Sequence, residues 1–159
     1  LTVTAERSPE VAALRDKLGN TFPAVDAVFD ELAAAAIARL PAEAVEEWLD
    51  TARFLGSLGR GAEPMLVFLE EAPEVAAILG VEALDRLKTT AYRISRTPNG
   101  QAIVPFLQTA PAAARRLGDL EQFDHYLDIV DEVMRETTTS VHGIVATHPS
   151  PCFVDFLQS

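Results

Sequence analysis

The residue types best suited to chemistry in this sequence gather near its C-terminal end, where His142, His148 and Cys152 fall within eleven residues. Imidazole nitrogens and a thiolate are ligands that zinc favours, and a thiol beside an imidazole is the pair that a cysteine nucleophile needs. Neither chemistry is completed by the surrounding sequence. A closed zinc site takes four ligands in tight pairs, and neither C-x2-C nor H-x3-H is present. No third group identifiable from the sequence would orient a Cys–His pair. The three are read as loop residues in contact with water, so no metal, no cofactor and no catalytic residue is assigned.

Two other stretches invite a chemical reading. "GSLGRG", from Gly56 to Gly61, has the glycine content of a phosphate-cradling loop, but it follows a helical pattern instead of a strand, and no Gly-Lys-Ser/Thr comes after it. It reads as a flexible turn between helices. Residues 119–136 carry Asp119, Glu121, Asp124, Asp128, Asp131, Glu132 and Glu136 against one base, Arg135. A di-iron bundle would require Glu-x-x-His on a helix. Glu121 and His125 are four apart, so that motif fails. Asp124, Asp128 and Asp131 share one face of the expected helix and are the candidate contact face for a protein partner, set against the plainer reading of a solvated face.

The composition narrows the classes further. The 159 residues include 24 acids against 13 Lys and Arg, a formal charge of -11 and a pI near 4.6. Binding phosphates requires clustered cations, so nucleic acid is not an expected partner. The longest strongly apolar run, residues 32–38, is far short of the ~20 residues that span a bilayer, and no membrane insertion is expected. A single cysteine fits a reducing compartment, and a cytoplasmic location is expected. The chain begins without methionine and stops just after "FVDFLQ", which suggests a fragment of a larger protein.

The elements that would position any of these residues are helices. Ser8-Pro9, Leu40-Pro41, Ala72-Pro73, Thr97-Pro98, Ala110-Pro111 and Ser150-Pro151 are expected helix starts, and Gly19, Gly56, Gly80 and Gly118 expected ends. Apolar residues recur at three and four between these marks. Val25, Val28, Phe29, Leu32 and Ala36 form one stripe, and Val45, Trp48, Leu49, Ala52 and Leu55 a second. Leu84, Leu87, Ala91 and Ile94 form a third, and Leu120, Phe123, Leu127, Val130 and Met134 a fourth.

The sequence also repeats itself. "FLEEAPEVAAILG" from Phe68 to Gly80 is answered thirty-eight residues later by "FLQTAPAAARRLG" from Phe106 to Gly118. Each copy reads as a helix end, a break at proline, a short helix and a glycine cap. The same offset pairs Leu49 with Leu87, Thr51 with Thr89 and Phe54 with Tyr92. After Gly118 it resumes one residue longer, pairing Leu84 with Phe123, Leu87 with Tyr126, Ala91 with Val130 and Ile94 with Val133. The expected fold is all-α: one domain over residues 1–159, an irregular α-solenoid of HEAT-like stacked repeats with about eight to ten helices. The units fall near 42–80, 81–118 and 119–159, the last interrupted by an insertion at 137–149.

"LPAEAVEEWLDTARFLGSLGRGAEPMLVFLEEAPEVAAILG" followed by "FLQTAPAAARRLGDLEQFDHYLDIV" resembles the helical N-terminal region of NorD/CbbO-type proteins, over residues 40–130. These are large proteins with a C-terminal von Willebrand factor A domain, partnered with MoxR-type AAA+ ATPases. The resemblance implies a non-catalytic adaptor that works with such an ATPase to activate or mature a target enzyme. The metal-binding D-x-S-x-S motif of the A domain is absent from this sequence, so no metal site is carried over. The alternative is a stand-alone helical-repeat module that binds another protein and has no ATPase partner.

Overall fold

The computed structural model describes residues 8–140, and the side chains of residues 8–134. Seven α-helices and one short 3-10 turn account for nearly all of this span, and no strand occurs among the described residues. They are α1 (Pro9–Leu18), α2 (Pro23–Arg39), α3 (Ala42–Gly56), α4 (Glu63–Leu79), α5 (Glu82–Ser95), the 3-10 turn Gly100–Ala102, α6 (Ile103–Leu117) and α7 (Leu120–Ser140).

Local chemistry accounts for most boundaries. Ser8 Oγ accepts the Val11 N–H at 3.1 Å, with Pro9 in the first turn. Asp119 plays the same part for α7, its carboxylate accepting the Gln122 N–H at 2.8 Å. Gly80 (φ 100°) and Gly118 (φ 79°) close α4 and α6 in a backbone region that a side chain would strain. Gly56 ends α3 differently, without positive φ, and Met65 Sδ packs where a Cβ would stand.

Three proline expectations are corrected. Pro73 and Pro111 lie inside α4 and α6 and break neither helix. Pro98 occupies the turn before the 3-10 segment, five residues ahead of α6. Proline in a helix interior removes the N–H that would reach the carbonyl four residues back. At Pro73 that carbonyl belongs to Leu69, and the buried indole N–H of Trp48 donates to it at 3.3 Å. A side chain from α3 thus supplies the donor that α4 lacks. Continuous helices through Pro73 and Pro111 also explain why the described residues form fewer helices than the sequence reading expects.

The expected stripes face inward. Val45, Trp48, Leu49, Ala52 and Leu55 are all buried, as are Leu84, Leu87, Ala91 and Ile94. Val25, Phe29 and Ala36 are buried on α2, with Ala33 added and Val28 and Leu32 half-covered. Phe123, Leu127, Val130 and Met134 are buried on α7, and Leu120 packs at the edge. One continuous apolar cluster draws on all seven helices. Trp48 is its largest fully buried member, stacked on Phe29 with ring centroids 6.3 Å apart. At ~25 cal/mol per Å² of apolar surface, a wholly buried aromatic contributes about 3 kcal/mol, so this pair anchors the α2–α3 contact.

Helices pack on their sequence neighbours and on the next but one. α1, α3, α5 and α7 touch in series, α2, α4 and α6 touch in a second series, and the two series interleave. The most extensive contact is between α4 and α6, the helices that carry the duplicated phrase. Phe68 and Phe106, Leu69 and Leu107, Ala72 and Ala110, Pro73 and Pro111, and Ala76 and Ala114 are buried alike.

The helices before them match in a different register from the one read in the sequence. Thr51 is buried but Thr89 is exposed, so an offset of thirty-eight does not preserve the inner face. At thirty-nine, Ala44 and Ala83, Val45 and Leu84, Trp48 and Leu87, Thr51 and Thr90, Ala52 and Ala91, and Leu55 and Ile94 are all buried. Between α5 and α7 the inner faces agree at forty instead of thirty-nine, pairing Leu87 with Leu127 and Ile94 with Met134. A helix turns about 100° per residue, so one residue of slip moves a side chain off the buried face.

Candidate functional site

The acidic face of α7 divides into two environments. Asp124 turns toward α5 and accepts from Arg86 Nε at 2.9 Å. Asp131, 9% exposed, sits at a core position one turn beyond Leu127, with Arg93 Nη1 3.7 Å from its carboxylate. Arg86 and Arg93 are seven residues apart on α5, as Asp124 and Asp131 are on α7, so two ion pairs clamp the helices two turns apart. Asp128 stays exposed, beside exposed Glu121, His125, Ile129 and Glu132. The structure therefore separates the three aspartates proposed as one face: two join helices and one meets solvent.

Apart from Arg86 with Asp85 inside α5, the remaining ion pairs also join helices. Arg15 of α1 reaches Asp26 and Asp30 of α2, the latter at 2.9 Å, and Lys17 lies 3.4 Å from Glu46 of α3. Arg115 of α6 holds Glu74 of α4. Burial pushes the neighbouring Glu71 carboxyl above its ordinary range, helped by repulsion from Glu70 and Glu74 and opposed by Arg115. Burial likewise raises the Tyr126 phenol, opposed by the nearby Thr109 side chain.

The glycine-rich stretch links α3 to α4, as a turn between helices. It borders a cleft of about 520 Å³ lined by Gly59, Arg60, Glu63, Gly100 and Gln101. Arg60 is committed elsewhere, donating to Ser95 O at 3.0 Å, and Glu63 sets a carboxylate in the lining. A phosphate would meet that negative charge at the helix start where it would need donors. Glu121 and His125 lie one turn apart on the exposed face of α7, and no group of three or more His, Cys, Asp or Glu that could hold a metal occurs among the described residues. His142, His148 and Cys152 lie outside the described residues. No helix among the described residues is long and apolar enough to cross a membrane.

One cluster escaped the sequence reading. Phe54 of α3 and Tyr92 of α5 face each other with centroids 5.9 Å apart. Lys88 Nζ stands 5.1 Å from the Phe54 ring centre, and Arg96 Cζ 5.9 Å from that of Tyr92. Lys88 and Tyr92 on α5 and Arg96 at its C-terminal cap recur at intervals of four, a signal visible in the sequence. Its partner, Phe54, comes from another helix.

Comparisons of the chain with models of known protein families, with curated proteins and with solved structures find no match.

Proposed function

We propose that this chain is a non-catalytic scaffold: a stacked helical-repeat segment, an irregular α-solenoid, that holds a partner protein on an extended surface. The observation that carries the reading is the packing series, in which the substantial contacts join helices one or two apart in sequence. In such an array each unit covers its neighbour's apolar face, and the outer surfaces form one continuous platform whose shape is fixed by packing. The inter-helix ion pairs lock the relative rotation of neighbours and leave Asp128, Ile129 and Glu132 of α7 exposed.

Within this reading, we infer a cytoplasmic adaptor of the NorD/CbbO type that works with a MoxR-type AAA+ ATPase on a target enzyme. Support for this finer statement comes from the phrases over residues 40–130 that resemble that family. The ATPase would supply the nucleotide chemistry, and the helical array would present the target. The second reading, a stand-alone protein-binding repeat module, draws on the same packing and omits the ATPase.

A pull-down from native lysate with ATP present tests both. Retention of a MoxR-type ATPase together with one metabolic enzyme is expected for the adaptor. Retention of a protein partner with no ATPase would favour the module, and retention of no specific partner by the folded chain would overturn the scaffold reading.

A further inference from the structure

We propose that the surface between α3 and α5 centred on Tyr92 docks an acidic segment of a partner protein, one that carries an apolar side chain among its carboxylates. The inference rests on the scaffold reading and gives that scaffold a site and a partner chemistry.

Tyr92, 42% exposed, and Ile129 are the exposed large hydrophobic side chains of the described residues. Tyr92 lies against Phe54 and is flanked one turn to either side by Lys88 and Arg96. An amphipathic ring with cations beside it is a surface that an apolar anchor and neighbouring carboxylates would cover together.

With 24 acids to 13 bases, a cation here has carboxylates to choose from. Arg15, Lys17, Arg86, Arg93 and Arg115 all take one. Lys88 and Arg96 form no ion pair with a described residue and stand over aromatic rings instead. Arg39, Arg53, Arg60 and Arg116 also form no ion pair with a described residue, and what sets Lys88 and Arg96 apart from them is that each stands over an aromatic ring. Asp85, one turn before Lys88, lies 3.9 Å from Arg86. A cation over a ring keeps most of its charge available to a second partner, and a carboxylate placed there would complete both interactions.

The net charge of -11 opposes an acidic partner at a distance. Screening limits that opposition, because the Debye length is about 8 Å at physiological salt, whereas charges in the docked patch would lie about 4 Å apart. Single-stranded nucleic acid also stacks on rings flanked by cations. Two unpaired cations are too few to offset a phosphate backbone approaching so acidic a chain, and this favours the peptide.

The test is fluorescence anisotropy with the full chain and a labelled peptide in which Glu alternates with Phe. Comparison probes are a peptide with Lys in place of Glu, one with Ser in place of Phe, and labelled oligothymidylate. The acidic Phe-containing peptide is expected to bind tightest. K88E/R96E is expected to weaken it by about tenfold or more, a loss that shrinks as salt is raised. Tyr92→Ser is expected to weaken the Phe-containing peptide and leave the Ser-containing one little changed, with helical circular dichroism confirming that both variants fold. Absence of peptide binding, equal binding by folded K88E/R96E, or preferential binding of oligothymidylate would each overturn the proposal. The ATP pull-down repeated with K88E/R96E separates the two levels: an undiminished set of partners sinks this site and spares the scaffold, whereas no partner with either chain sinks both.

Discussion

Exchanging Trp48 for phenylalanine isolates the contact by which α4 survives an internal proline. The indole N–H donates to Leu69 O, the carbonyl that Pro73 leaves without its helical donor. Without that donor a buried acceptor goes unsatisfied, at a cost of about 1–3 kcal/mol; the 3.3 Å separation places this bond in the weaker half of the range. The smaller ring also leaves a void beside Phe29, adding about 1 kcal/mol. The two contributions separate in a double-mutant cycle with Pro73→Ala. The alanine would restore a backbone N–H to Leu69 O, so Trp48→Phe in that background should cost only the void and a redundant bond. The expected coupling is about 1 kcal/mol, a difference of about 0.5 M in urea midpoint for a slope near 2 kcal/mol per M. Urea titration followed by helical circular dichroism measures it, with equal slopes among the four chains as the check on two-state behaviour. Coupling within about 0.3 kcal/mol of zero would show that the indole does not substitute for the missing donor.

The other predictions concern charge and backbone. Asp131→Ala should destabilise the chain by about 1–2 kcal/mol by stripping Arg93 and a core position of an ion-paired carboxylate, whereas exposed Asp128→Ala should stay within about 0.5 kcal/mol; chemical denaturation distinguishes them. Glu71→Gln should raise the melting temperature at neutral pH. The folded-state pKa of Glu71 is raised, so the folded chain holds this proton more tightly than the unfolded one, and stability falls as pH rises through that interval. The advantage of glutamine should therefore be full above the folded-state pKa and fade as pH drops toward the ordinary carboxylate value of 4.5; an advantage independent of pH would contradict this. Gly118→Ala should cost about 1–2 kcal/mol through its positive φ alone, since a Cβ there meets no atom within 4 Å, and Gly118→Asn should cost less by thermal melting.

The helical class and most of the inward-facing residues were legible in the sequence. Stripes at three and four set which side of each helix is apolar, and Trp48, Leu87 and Met134 followed that rule into the core. The duplicated phrase marked two helices that prove to be packed on each other and buried alike. Of the candidate contact face, the shared helix and the i, i+4, i+7 spacing were legible, but the division of its aspartates was not. Asp124, Asp128 and Asp131 differ in surroundings because Arg86 and Arg93 come from α5, and no rule of spacing on α7 contains that information.

By itself the sequence determined what depends on neighbouring residues: helical periodicity, the helix start at Ser8-Pro9, the glycine ends at Gly80 and Gly118, and a large negative charge. Tertiary structure alone decided that Pro73 sits within a helix, because its orphaned carbonyl finds a donor on α3, twenty-one residues from Leu69. It also decided that Phe54 and Tyr92 share a surface with Lys88 and Arg96, because helix phase in the folded stack brings together side chains thirty-eight residues apart. Local propensity acts over a few residues, whereas both outcomes rest on packing between helices that meet only when the chain has folded.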